Sequence, residues 1–414
     1  MAQTNESQNN GPQLKRSLSL SLLTLYGLGN ILGAGIYVLI GKVVATAGVF
    51  APWSFLLASV LAGLTAFTYA ELSSRYPVSA GEAVYLQVGF GLKYLSSGVG
   101  VLIILAGIVS SATISRGFVG YFQQFWGAPE VGVIIVLVAT LCALAIWGIV
   151  ESVRVAALFT LAEVFGLAMI IWIAFPDTGQ LGSSLSAMAA PSDFVAWNGI
   201  LLGGILAFYA YIGFEDMVNV AEEVRDPVRT MPIAILIALV VSTLMYMLVS
   251  IVAISSGSIE ELAESTAPLA MIYQRASGAA PVLISAIAMV AVVNGALIQI
   301  IMASRVCYGL ARQGWVPAKL GEVHPRTHTP IIATLLVSGV VLIMALWLPV
   351  ETLARSTSLL LLIVFSLINL ALWRIQRNPD IPPAEFRIPT WVPMAGFLSS
   401  SAFLVYQVVA LIRG

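Results

Sequence analysis

The sequence predicts an all-α integral membrane protein of about eleven transmembrane helices, and three observations predict it. Of 414 residues, 59% are hydrophobic and 9% charged, where an average soluble domain carries about 25% charged residues. A water-facing surface cannot be built from so few, and the mean hydropathy is +0.97. Apolar runs of about 20 residues, the length that crosses a bilayer as a helix, recur between short polar connections. Those connections alternate between basic and acidic.

The spans fall near 22–44, 50–72, 95–120, 131–149, 156–175, 195–222, 231–255, 280–304, 330–348, 356–374 and 391–412. Residues 1–20 read as a disordered cytoplasmic tail, polar until Lys15 and Arg16 precede the first apolar run. That run is too long for a signal peptide and lacks a cleavage site, so it reads as an uncleaved first helix. The segment "RDPVRTMP" (225–232) separates spans six and seven, with Thr230 as N-cap and Pro232 in the first turn. With the tail inside, 14 of the 19 Lys and Arg residues lie on its side of the membrane and 5 on the other. That bias fixes a cytoplasmic N-terminus. An opposite loop carries Glu260, Glu261 and Glu264.

Composition also excludes. A net charge of −1 without a basic cluster gives nucleic acid no footing. The two cysteines, Cys142 and Cys307, make neither a disulfide framework nor a metal site. The only histidines, His324 and His328, share one loop, and no nucleophile, base and orienting group fall at one depth. No enzyme, cofactor or metal is expected, and no continuous polar stripe suggests a channel.

Two spans break the apolar pattern. Span one carries Gly27, Gly29, Gly33, Gly35 and Gly41, although glycine costs about 1 kcal/mol against alanine inside a helix. Span six places Glu215 and Asp216 directly after the "YIGF" of residues 211–214. Non-helical backbone at membrane depth survives only where it lines a cavity or is buried in protein. Interrupted segments at matching places in two halves point to a solute site. The chain then divides into a five-helix repeat over 21–176, a second, inverted one over 192–374, and a linker with the final helix over 375–414. An odd number of spans per repeat inverts the second. Close helix packing is the competing reading for glycines in membrane helices.

At these residues the sequence resembles the amino acid–polyamine–organocation transporter superfamily. "GAGIY" (33–37) is similar to its first-helix motif. "FYAYIGFE" (208–215) and "AEEVRDPVRTMP" (221–232) resemble its sixth-helix motif, and "NGAL" (294–297) and "ASRVCYGLARQGWVP" (303–317) its eighth. "ELSSRYPVSAGEAVYL" (71–86) follows the pattern after helix two, with Ala80 and Ala83 departing from it. The resemblance implies a leucine-transporter-type fold with helices 1 and 6 unwound, carrying amino acids by alternating access. Relatives often have twelve spans, so a count of eleven leaves open the end of the chain, and with it the oligomeric state.

An amino acid leaving water needs partners for both charges. Backbone N–H groups of Gly33, Ala34, Gly35 and Ile36, at the positive end of the outer half-helix, suit the carboxylate. Carbonyls of Phe208, Tyr209, Ala210 and Ile212 suit the ammonium. By resemblance Tyr209 is the aromatic gate, while the ring of Phe208 reads as packing. Ser110, Ser111, Met289 and Asn294 are candidates for the side-chain pocket. This mostly apolar set favours a small or medium neutral amino acid, with Glu215 and Asp216 keeping a cationic one open. Glu222 and Glu223, near Arg225 and Arg229, suggest an inner gate.

Glu163 stands alone in span five, about 10 Å in from Ala156 at 1.5 Å per residue. By resemblance it occupies a position where many relatives carry lysine, whose ammonium bonds carbonyls of helix one. An ionised glutamate would repel those carbonyls, so Glu163 is expected to be protonated or to hold a cation such as sodium. The reading is an amino-acid transporter of the inner or plasma membrane, proton-coupled through Glu163. An exchanger, a sodium symporter and a cationic amino acid or polyamine carrier are alternatives within transport. A sensor or assembly subunit that kept the fold is the alternative from another class.

Overall fold

The computed structural model describes residues 14–413, except 124, 176–185, 187, 190, 192, 257–258, 266 and 349. The expected disordered tail lies outside them as far as residue 13. Its last residues are a correction: Ser17 N and Leu18 N donate to Glu223 O at 2.8 and 2.9 Å, and Arg225 N donates to Leu18 O at 2.9 Å. Leu14 and Leu18 are buried, so apolar contact and paired backbone hold the chain before the first helix.

The described residues are helical, with helices α1 (Leu20–Ala47), α2 (Ala51–Arg75), α3 (Gly81–Phe90), α4 (Lys93–Gln123), α5 (Glu130–Trp147), α6 (Ile149–Ala174) and α7 (Phe194–Phe208). After two 3-10 segments, Tyr209–Tyr211 and Glu215–Glu223, come α8 (Pro227–Ser255), α9 (Ile259–Glu264) and α10 (Pro268–Ser277). Helices α11 (Val282–Arg312), α12 (Ile331–Trp347), α13 (Val350–Arg377) and α14 (Trp391–Arg413) complete the chain. Every expected span has a helix. Nine segments of the described residues are long and apolar enough to cross a membrane, and two shorter apolar helices, Ile331–Trp347 and Trp391–Tyr406, lie where the remaining two were expected.

Small residues and side-chain hydrogen bonds join these helices, as expected where lipid removes the hydrophobic incentive to associate. Gly100 and Gly107 of α4 sit against Leu310 and Met302 of α11, where any Cβ would collide. Asn369 of α13 donates to Thr65 Oγ1 at 2.9 Å and accepts from Thr68 Oγ1 at 2.7 Å, tying α13 to α2. The start of α8 differs from expectation. Pro227, not Thr230, begins it, with Asp226 in the left-handed region at φ 46°, because proline is pre-organised for the first helical turn. Pro232 therefore falls inside the helix and cannot donate to Val228 O. Ser74 Oγ of α2 takes that carbonyl instead, at 2.9 Å.

Candidate functional site

Gly33 interrupts α1 with φ −31° and ψ −141°, which no helix accommodates. A Cβ at Gly33 would meet nothing within 4 Å, so the break opens onto space. The other glycines of the span serve packing. A Cβ at Gly27 would strike Met217, one at Gly29 would strike Thr160 and Asn294, and one at Gly41 would strike the Leu262 carbonyl. The loosening expected for the whole span is concentrated in one residue.

The second break follows α7. One turn of 3-10 helix ends at Ile212, which is extended at ψ 134°, and Gly213 takes φ 131°. A side chain there would be strained by the backbone angle and would press within 3.0 Å of Asn30 backbone atoms. The two breaks touch: a Cβ on Gly35 would lie 3.1 Å from Ala210 Cα. They are also bridged. Tyr246 Oη of α8 lies 2.6 Å from Ile31 O and 2.8 Å from Ala210 O, and Asn30 Nδ2 donates to Gly213 O at 2.8 Å. Sequence reading missed Tyr246, since one tyrosine in an apolar span gives no signal until its depth is known.

Two of the four carbonyls assigned to an ammonium are already engaged, Ala210 O by Tyr246 and Tyr209 O by Ile212 N at 3.3 Å. Phe208 stacks on Phe403 of α14, ring centres 5.2 Å apart, as the packing reading requires. Ile36 is fully buried and Tyr209 half-buried.

Beside Ile212 lies a cavity of about 30 Å³ whose wall includes Ser110, Gln299 and three carboxyl residues, Glu82, Glu215 and Asp216. The other pocket candidates do not line it. Ser111 Oγ donates to Ala296 O at 3.2 Å, joining α4 to α11. Met289 is replaced by Met302, thirteen residues and roughly 20 Å further along α11. Asn294 turns instead to α6. The expected inner gate is also re-paired: Glu223 meets the fully buried Arg305 at 3.4 Å rather than Arg225 or Arg229. Glu222 accepts from Ser79 N at 2.9 Å and from Tyr308 Oη at 3.2 Å.

Glu163 is fully buried. Its Oε1 accepts from Asn294 Nδ2 at 2.8 Å, while Glu163 Oε2 and Asn294 Oδ1 have no hydrogen-bond partner. Asn294 Nδ2 also reaches Thr160 Oγ1 at 3.0 Å, and that hydroxyl reaches Leu25 O of α1 at 3.0 Å. The carboxyl thus belongs to a chain of polar contacts that ends on the half of α1 before its break. An orphaned, buried carboxyl oxygen calls for a proton or a cation.

The described residues form a polytopic helical membrane protein in which two interrupted helices meet beside a largely apolar cavity that has three carboxyl residues in its wall. Residues 18–412 match the amino acid permease family, and the chain belongs to it. It is 30% identical to cationic amino acid transporter 3, mitochondrial, of Arabidopsis thaliana, over 93% of this chain and 66% of the plant protein. It is 28% identical to the methylthioribose transporter of Bacillus subtilis, over 98% and 90% of the two chains. To the branched-chain amino acid permease of the same bacterium it is 27% identical, over 91% and 84%. The chain spans just under two thirds of the length of the plant relatives it matches.

Proposed function

We propose that this protein is a secondary transporter that moves amino acids across the cell (inner or plasma) membrane by alternating access, coupled to protons. The meeting of the two breaks carries this reading. Gly33 opens onto space while Gly35 abuts Ala210, so N–H groups of residues 33–36 and carbonyls after α7 converge on one region. A substrate carboxylate is received by those N–H groups at the start of the outer half of α1. The ammonium is received by carbonyls at Phe208 and Ile212, and by Ala210 when Tyr246 turns to Ile31. Tyr209 closes over the occupied site.

Coupling is assigned to Glu163. Protonated, it satisfies its orphaned Oε2 by donating a hydrogen bond. Ionised, it calls for a cation, and its link through Asn294 and Thr160 to Leu25 lets that change reach α1. Spans one to five and six to ten form the inverted repeats whose relative rocking exposes the site to either side, with the N-terminus cytoplasmic. The names of the relatives, which include cationic and branched-chain amino acid carriers, support an amino acid and disagree on its side chain.

The test is uptake of a mixture of labelled amino acids into sodium-free proteoliposomes under an inward proton gradient. Saturable accumulation that collapses when the gradient is dissipated is the expected result. Accumulation only with sodium moves the coupling ion to sodium, exchange without accumulation makes the protein an exchanger, and neither overturns the transport reading.

A further inference from the structure

Five carboxyl groups are buried near the end of the bundle that carries α3, and they fall into two kinds. Glu71 and Glu223 each face an arginine, Arg75 at 2.7 Å and Arg305 at 3.4 Å. Glu82, Glu215 and Asp216, between 1% and 3% exposed, take part in none of the ion pairs among the described residues. These three line one cavity.

Neutral donors serve them incompletely. Asp216 Oδ2 accepts from Asn30 Nδ2 at 2.5 Å and from Gln299 Nε2 at 2.6 Å. Glu215 Oε2 accepts from Gly213 N at 2.7 Å. From other residues, Glu82 Oε1 receives a long bond from Asn219 Nδ2, 3.3 Å, and its Oε2 has no partner. The remaining wall offers hydroxyls from Tyr69 and Ser110, the Gln299 amide and apolar side chains, and no basic group. Such an enclosure is costly unless something positive enters it.

We infer that this cavity, formed by Glu82, Glu215 and Asp216 beside the second helix break, is a binding site for a primary alkylammonium group. Size and shape select that ligand. About 30 Å³ admits a head no larger than one or two waters, which suits a compact ammonium and not a planar guanidinium. Among the described residues, no three acidic, histidine or cysteine side chains group closely enough to hold a metal ion. The carboxyl groups in the cavity wall are acceptors for an ammonium's donors, in a wall without a basic side chain. Ile212, the last residue before the positive-φ glycine, forms part of the wall. The aliphatic stem of a diamino acid held at the breaks therefore points its terminal amine here. That last step, from an ammonium to a transported diamino acid, rests on the transport reading above; the site itself does not.

Burial pushes the Glu82 carboxyl up to about 8, with Asp216 adding to the rise and its own backbone N–H and Asn219 opposing it. The groups facing it are Glu215, Asp216 and Tyr69 around the cavity and Tyr85 on its own helix. An ammonium must displace the proton held there, so its binding strengthens as pH rises through about 8, below the range near 10 where alkylamines themselves deprotonate.

The test is thermal melting of the purified full-length protein in detergent with n-butylammonium, which has no amino-acid backbone, against n-butanol and methylguanidinium at matched ionic strength. Butylammonium is expected to raise the melting temperature, more at pH 8.5 than at 6.5, and to bind about tenfold or more tighter than methylguanidinium, whose planar head is too large for the cavity. Glu82→Gln should abolish the response. Ser110→Lys, which brings its own ammonium to the cavity, should abolish it independently, so the site stays testable even if the first variant fails to fold. A response equal to that of butanol, a preference for methylguanidinium, or a response unchanged in either folded variant overturns the site. Exchange of labelled lysine in proteoliposomes separates the two claims. Butylammonium binding without lysine exchange refutes the diamino-acid assignment while the site stands, whereas lysine exchange without butylammonium binding refutes the site alone.

Discussion

Glu71 and Glu82 lie eleven residues apart, both fully or almost fully buried, and their surroundings could hardly differ more. Glu71 accepts from Arg75 Nε and Nη2, at 2.9 and 2.7 Å, and from Gln376 Nε2 and Ile388 N, each at 2.8 Å. Every donor comes from a segment it ties down: its own helix, α13, and the link to α14. Glu82 has one long bond from another side chain and an oxygen left over. A buried carboxylate with a full set of donors and a cation is a fastening. One without them must hold a proton or wait for a positive ligand. Glu223 belongs with the first kind; Glu163, Glu215 and Asp216 belong with the second.

The sharpest way to break this contrast is to convert a fastening into an orphan. Arg305→Ala leaves Glu223 buried without its cation and should cost about 3–5 kcal/mol, read as a large fall in detergent melting temperature. Adding Glu223→Gln should recover part of that loss, whereas equal destabilisation of the single and double variants would remove Glu223 from the paired class. Gly213→Ala should cost roughly 1–3 kcal/mol, for a strained backbone angle and for pressing on Asn30, and should weaken substrate binding because it shifts the second break. A variant as stable and active as the parent would show that this break is not held by its glycine.

The unpaired class makes a pH prediction. Glu82 ionises only near 8 when folded but near 4.3 unfolded. The folded state therefore holds the extra proton between those values, and the stability this contributes is lost as pH rises through that window. The melting temperature should fall from pH 5 to 8, and Glu82→Gln should flatten the slope; an unchanged slope would place the titration elsewhere. The smallest effect belongs to a packing residue. Phe208→Leu removes a stacked pair with Phe403 and should cost about 0.5–1.5 kcal/mol, with substrate affinity unchanged in a binding assay. A loss of affinity would bring the Phe208 ring, and not only its carbonyl, into the site.

The breaks were legible in the sequence because clustered glycines and adjacent acids are costly at membrane depth unless the helix opens there, and both breaks lie where they were expected. What the sequence hid was partnership. Gly33 and Gly35 look alike in "GAGIY", yet one opens onto space and the other packs on Ala210. Glu223 stands two residues from Arg225 and pairs with Arg305, eighty-two positions on. Ser110 and Ser111 are neighbours, and helical rotation turns one to the cavity and the other to Ala296. Glu82 drew no attention because an acid beside a polar loop reads as solvated until the fold closes over it.

The most direct measurement of the central claim, that unpaired buried carboxylates are the working ones, compares Glu163→Gln with the parent protein in proteoliposomes. Labelled amino acid is followed under an inward proton gradient, and then by exchange against internal unlabelled substrate. The account predicts that Glu163→Gln still exchanges but no longer accumulates. Accumulation at the parent's level would contradict it.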